Sequence, residues 1–180
     1  RFCKRDETMI RSFRGVSPRI GANSYIDESA VVIGDVEMGE NCSIWPLTVI
    51  RGDINKIRIG DDTNIQDGSV LHVTHQGPFS PEGAELHIGS QVTVGHKVLL
   101  HGCRIGNRCL IGMGSIVTDN AIIEDRVMIG SGSLVPPNKV LESGYLYLGN
   151  PVVQKRPLSE RELEFLSYVS QHYVLLKQSY

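Results

Sequence analysis

A six-residue rhythm of aliphatic residues constrains this chain more than any other feature of it. An aliphatic residue, often followed by Gly, recurs at Ile20, Ile26, Ile33, Met38, Ile44 and Ile50, and again at Ile59, Ile65 and Leu71. After a gap it returns at Ile88, Val94, Leu100, Ile105, Ile111, Val117, Ile123, Ile129, Val135 and Leu141. Four residues after most of these stands a small or apolar residue, as at Ala30, Cys42, Thr48, Ser69, Val98, Cys109, Ala121 and Ser133. A short fixed period of this kind is the signature of a parallel β-helix. Each hexapeptide supplies one short strand and a corner, and three make a coil. The aliphatics then stack in columns inside a triangular prism. Small side chains suit the crowded corners, where Gly supplies unusual backbone angles. Adjacent coils pair about 4.8 Å apart, and roughly six coils fit in residues 20–141.

Composition agrees with short strands and tight corners. Glycine is high at 19 residues, and aromatics make up only 6%. A net charge of -2 favours neither nucleic acid nor an anionic membrane as partner. The four cysteines, Cys3, Cys42, Cys103 and Cys109, form no C-x-x-C pair, which points to a reducing compartment. No apolar run is long enough to span a membrane, and Arg1 to Arg14 lacks the apolar centre of a secretory signal. A soluble cytoplasmic protein is the expected class.

The chain divides into an N-terminal arm (1–16), the prism (17–141), a Gly- and Pro-containing connector (142–158) and a terminal helix (159–180). Two excursions interrupt the prism. Ile50 to Ile59 is stretched by three residues around Gly52-Asp53-Ile54, and residues 73–87 insert a loop between Leu71 and Ile88. Excursions from a solenoid usually map to its binding face. At the end, Ser159-Glu160-Arg161-Glu162 reads as a capping box, and Leu163, Leu166, Val169, Tyr173 and Leu176 follow at helical spacing.

Five of the six histidines fall between Leu71 and Gly102. If 73–87 is an excursion, Leu71, Ile88, Val94 and Leu100 are consecutive core positions. Leu100 then lies on the same face as Leu71, one coil on. His72 and His101 directly follow these two residues, so they share an orientation and sit one ladder spacing apart. That separation lets two imidazoles share a metal at Zn–N distances of about 2.0–2.1 Å. His96 belongs to another corner, on the order of 15 Å away along a prism side, and is expected to point away from its own chain's pair. In a threefold assembly it could face the pair of a neighbour, completing a three-histidine site with an open position, the arrangement of a catalytic zinc. Outward histidines can also be merely solvated. His75 and His87 are expected to face solvent, and His172 to be structural or solvated. The three later cysteines are expected to pack in the core. Gln66 can lie near a metal held by His72; Arg51 and Asp53 can equally form an ordinary boundary ion pair, and Asn64, Asp67 and Gly68 can merely shape a turn.

The segments Ile50-Arg51-Gly52-Asp53, Asn64-Ile65-Gln66-Asp67-Gly68, Leu71-His72 and Val94-Gly95-His96 through His101-Gly102 carry a resemblance. Over about Ser17 to Pro151 the chain resembles the gamma-class carbonic anhydrases and their bacterial carbonic-anhydrase-like relatives. The resemblance implies a left-handed parallel β-helix that assembles as a homotrimer with zinc sites between subunits. His72 and His101 would come from one chain and His96 from the next, holding Zn2+, with Fe2+ or Co2+ as alternatives. It implies further that Gln66 hydrogen-bonds the metal-bound water, that Arg51 and Asp53 pair at the interface and that Asp67 is an active-site carboxylate. The implied reaction is reversible hydration of CO2 to bicarbonate by metal-bound hydroxide. One departure stands out. The best-studied members carry a glutamate proton shuttle three residues after the first histidine, where this chain has His75. Histidine can shuttle protons near neutral pH, but the loop here carries only Glu82 and Glu85 as acids.

Two other functions remain open on sequence alone. Hexapeptide acyltransferases share the repeat, and Gly149-Asn150-Pro151 resembles their connector. A metal-binding protein or scaffold without fast chemistry would keep the histidines and lack turnover.

Overall fold

A computed structural model describes residues 9–180. The first half of the arm, with Cys3, lies outside the described residues. The chain winds into a parallel β-solenoid closed by one C-terminal helix. Its three faces each stack one aliphatic column inward. One column is Val32, Ile50, Leu71, Leu100, Val117 and Val135. A second is Ile20, Met38, Ile59, Ile88, Ile105, Ile123 and Leu141. A third is Ile26, Ile44, Ile65, Val94, Ile111, Ile129 and Tyr147. Apart from Ile20 and Ile26, packed at the N-terminal end, all of these are buried. Each buried Leu, Ile or Val contributes about 1.5–3 kcal/mol relative to exposure. The columns therefore hold the prism together with a single aromatic, Tyr147, at the last rung.

The expected small residues occupy the corners. Ala30, Cys42, Thr48, Ser69, Cys109, Ser115, Ala121 and Ser133 are buried to 1% exposure or less. Three residues after each aliphatic of the second column the chain turns through left-handed backbone angles: Asn23, Asn41, Asp62, Gln91, Arg108 and Arg126 have φ between 53° and 58°. A corner that repeats every coil needs one such residue per coil, and Asn tolerates the conformation best among residues with a side chain.

Three details differ from expectation. Val32, not Ile33, points into the core; Ile33 sits beside Arg51 on the outer side. The Gly52-Asp53-Ile54 stretch does not break the strand. Val49–Ile59 runs on from one face to the next, and so does its neighbour Val31–Met38, with the ladder shifting register between Gly34 and Val36. The excursion at 73–87 is also narrower than its sequence bounds. Val73 and Leu86 are core residues, and a two-hydrogen-bond bridge between Thr74 and Ala84 closes the loop.

The connector is a β-hairpin. Tyr145–Gly149 adds a last parallel rung beside Met128–Ile129, and Val152–Pro157 returns antiparallel to it. This covers the edge of the third face, while Leu134–Val135 and Val140–Leu141 remain the end strands of the other two. The helix Glu160–Leu176 starts in the expected capping box: Ser159 Oγ accepts from Glu162 N–H, and the Glu162 carboxylate accepts from Ser159 N–H. Leu166 and Ser170 are buried, and Ser170 Oγ donates to the corner carbonyl of Asp62 at 2.7 Å. Trp45 gathers the rings of Tyr25, Tyr173 and Tyr180 and anchors the C-terminal end of the chain on the prism. No helix among the described residues is long and apolar enough to cross a membrane.

Candidate metal centre

Two strands of the first face carry the central pair. Val70–His72 and Leu99–His101 run parallel, with Leu100 against Leu71 and His101 against His72. The shared register brings the rings together, with centroids 5.1 Å apart and His72 Nδ1 3.1 Å from His101 Nε2. Two nitrogens bound to one tetrahedral zinc at 2.0–2.1 Å stand roughly 3.3 Å apart, so the spacing fits a shared ion.

The far nitrogen of each ring rests on a carboxylate. His72 Nε2 lies 3.0 Å from Asp53 Oδ1, and Arg51 Nη1 donates to Asp53 Oδ2 at 2.6 Å. His101 Nδ1 lies 2.5 Å from Asp119 Oδ1, and Thr74 Oγ1 donates to Asp119 Oδ2 at 2.5 Å. A carboxylate behind a ligating imidazole fixes its tautomer and raises its basicity. Burial pushes the His72 imidazole below its usual range; the Asp53 hydrogen bond opposes this, and the Arg51 guanidinium reinforces it. Burial also raises the Asp53 carboxyl, but hydrogen bonds from Arg51 and His72 outweigh it and hold it below the usual range. Both shifts favour a neutral imidazole against an ionised carboxylate, the forms a metal site requires.

His96 stands at a different corner. Its Nδ1 lies 2.9 Å from Asp67 Oδ2, which leaves Nε2 for another partner. Gln66, next to Asp67, is buried and donates from Nε2 to Asn64 Oδ1 at 3.0 Å, while Asn64 Nδ2 donates to Thr93 Oγ1. The side chain is therefore held rather than free to rotate. His75 lies on the exposed side of the loop. His87 pairs with Glu85 at 2.7 Å, so a carboxylate partner alone does not mark a ligand. Within one chain, no group of three metal-ligating side chains converges among the described residues.

Between the two histidine positions runs an apolar stripe. Val49, Val70, Leu99, Ile116 and Leu134 stand in register along the outside of the first face. Val70, Leu99 and Ile116 are 37–40% exposed. His72 and His101 flank one edge of this stripe. Met113 and Leu47, both more than half exposed, stand with His96 at the other corner.

Three residues of the site escape a reading of the sequence. Asp119 sits one coil beyond His101, and nothing in Val117-Thr118-Asp119-Asn120 marks it except the register itself. Thr74 looks like an ordinary loop residue until its hydroxyl is seen on Asp119. Tyr173 reads as a helix core position. Burial pushes its hydroxyl up and the Asp67 carboxylate adds to the shift, which places it near the His96 corner. The three later cysteines pack as expected. Burial pushes Cys42 up to about 11 and Cys103 and Cys109 up to about 12, so none is a reactive thiolate.

The chain is similar to several known proteins. The family model for the bacterial transferase hexapeptide (six repeats) matches residues 17–52 and 102–137. Protein YrdA of Escherichia coli (strain K12) is 59% identical over 172 residues, spanning 96% of this chain and 94% of its own. A protein of Geobacillus kaustophilus (strain HTA426) named carbonic anhydrase is 46% identical over 172 residues, spanning 96% and 91%. The crystal structure of a hexapeptide transferase family protein from Anaplasma phagocytophilum superposes with a TM-score of 0.88 at 39% identity, over 97% of this chain and 98% of that one. On both its repeat and its relatives, the chain belongs to the gamma-class carbonic-anhydrase-like family of hexapeptide-repeat proteins.

Proposed function

We propose that this protein is a metal-dependent carbonic anhydrase of the gamma class, working as a homotrimer with its metal sites between subunits. His72 and His101 of one subunit and His96 of the next would hold Zn2+, with Fe2+ or Co2+ as alternatives. The observation that carries the reading is that all three imidazoles have one nitrogen on a carboxylate, and that the remaining nitrogens of His72 and His101 face each other at 3.1 Å, close to the spacing of two ligands on one metal. The apolar stripe between the His72/His101 edge and the His96 corner supports a subunit boundary there. A partner seated on it would bring its His96 corner towards this chain's pair. The name of the Geobacillus relative supports CO2 as substrate.

When bound, zinc in a three-imidazole site supplies hydroxide at neutral pH. The chain's own residues set the conditions. Asp53, Asp119 and Asp67 orient the imidazoles. Arg51 neutralises Asp53 and leaves it ionised. Gln66, locked by Asn64, offers a fixed amide beside Asp67, suited to orient a small polar reactant. His75, exposed at the loop, is the proton shuttle of this reading.

Transferase chemistry is the second reading, favoured by the matched family model and by the name of the Anaplasma neighbour. The two matched segments, 17–52 and 102–137, cover repeats and leave out residues 53–101, which hold all three proposed ligands. The likeness to the family model thus lies in the repeats rather than at the histidines.

Metal analysis joined to stopped-flow CO2 hydration separates the readings. The expected result is about one zinc per chain and hydration that follows metal content. In His96→Ala both are lost, although His72 and His101 remain. Undiminished zinc in that variant would refute a shared site.

A further inference from the structure

We propose that Asp119 is the positioning residue for His101, and that Thr74 holds Asp119 in place, so that the root of the inserted loop sets the orientation of one metal ligand. This deepens the metal-site reading above and rests on it. The carboxylate is fully engaged: Oδ1 faces His101 Nδ1 at 2.5 Å and Oδ2 accepts from Thr74 Oγ1 at 2.5 Å. Both ends of the link are anchored in backbone. Thr74 exchanges two hydrogen bonds with Ala84 at 2.9 and 3.0 Å, and its carbonyl accepts from Asn55 Nδ2 at 3.0 Å. On the other side, Asn120 N–H donates to the Gly102 carbonyl at 2.8 Å, which fixes the corner that carries Asp119.

Gly102 makes the arrangement possible. It has φ +53°, and a Cβ there would meet Asp119 Oδ1 at 2.9 Å and Ala84 Cβ at 2.6 Å. A side chain at this position would push aside both the carboxylate and the base of the loop.

The same device stands behind the other ligand, turned the opposite way. Asp53 takes Nε2 of His72 and leaves Nδ1 forward, whereas Asp119 takes Nδ1 of His101 and leaves Nε2 forward. An ionised carboxylate accepts only, so with a metal bound between the rings the proton of His72 belongs on Nε2 and that of His101 on Nδ1. In that form the two imidazoles are opposite tautomers, and the nitrogens that would hold the metal are the two that stand 3.1 Å apart.

Four variants and two readouts test this. Zinc affinity is measured by chelator competition on the intact assembly, and ring tautomers by long-range 1H–15N NMR on the zinc-loaded protein. In wild type the expected spectra show opposite tautomers for His72 and His101. Asp119→Ala is expected to weaken zinc affinity about 10- to 100-fold and to shift only the His101 nitrogens. Thr74→Val weakens it in the same direction by less, and Thr74→Ser restores it. Like tautomers in wild type, or unchanged zinc affinity in Asp119→Ala while His101→Ala loses zinc, would overturn this proposal and leave the metal site standing. A wild type that takes up no zinc overturns both.

Discussion

His75 stands three residues beyond His72, on the exposed side of the loop that Thr74 and Ala84 close. An exposed imidazole can accept a proton on one nitrogen and release one from the other, and so pass protons to buffer. His75→Ala is therefore expected to lower kcat by at least about 10-fold in dilute buffer, with zinc content unchanged, and imidazole buffer is expected to restore much of it. Turnover that is insensitive to buffer in both proteins would remove the assignment. At this scale one residue of register decides everything. Val32 and Ile33 are equally apolar, and the six-residue period counted from Ile26 to Met38 selects Val32 rather than the expected Ile33. Val32 faces inward because it pairs with Ile50 and lies six residues from both Ile26 and Met38. The pair His72 and His101 is legible because both directly follow an inward aliphatic. Asp119 and Thr74 are not, because each acquires its meaning from a contact across 45 residues of chain.

Among the elements, the C-terminal helix was the most legible, since its cap is a local motif. Glu162 accepts from Ser159 N–H and from both terminal nitrogens of Arg156, and these hydrogen bonds draw its carboxyl down to about 2. A depressed carboxyl contributes stability that is complete above its unfolded value, about 4.3, and is lost as pH falls towards the folded value. The stability difference between wild type and Glu162→Gln is therefore expected to be constant from pH 7 to about 4.5 and to vanish near pH 2. Thermal melts across that range measure it. Ser159→Ala should cost about 1 kcal/mol at neutral pH. The hairpin of Tyr145–Gly149 and Val152–Pro157 was hidden by its glycines and prolines, which read as a connector. Its strands exist because Met128–Ile129 offers an unpaired edge that only the folded prism creates.

For the whole molecule, the apolar stripe of Val70, Leu99 and Ile116 is the feature that one chain alone leaves unexplained. A charge placed there would be desolvated against a neighbour without a partner, which costs several kcal/mol. Leu99→Glu combined with Ile116→Glu is expected to leave the prism folded, since both side chains point outward, and to convert the assembly to monomers. Zinc binding should fall with it, although no histidine has been touched. Sedimentation together with metal analysis checks the two losses; a monomer that keeps its full zinc would place the site within one chain.

The hexapeptide period determined the solenoid, its columns and its corners, because each repeat needs only its neighbours and the pattern is written locally along the chain. The spacing of Leu71 and Leu100 put two histidines on adjacent rungs for the same reason. The carboxylates behind them, the tilt of each ring and the loop's hold on Asp119 came only from the tertiary structure. They depend on side chains of different coils meeting at a corner, and a one-dimensional period does not encode that meeting.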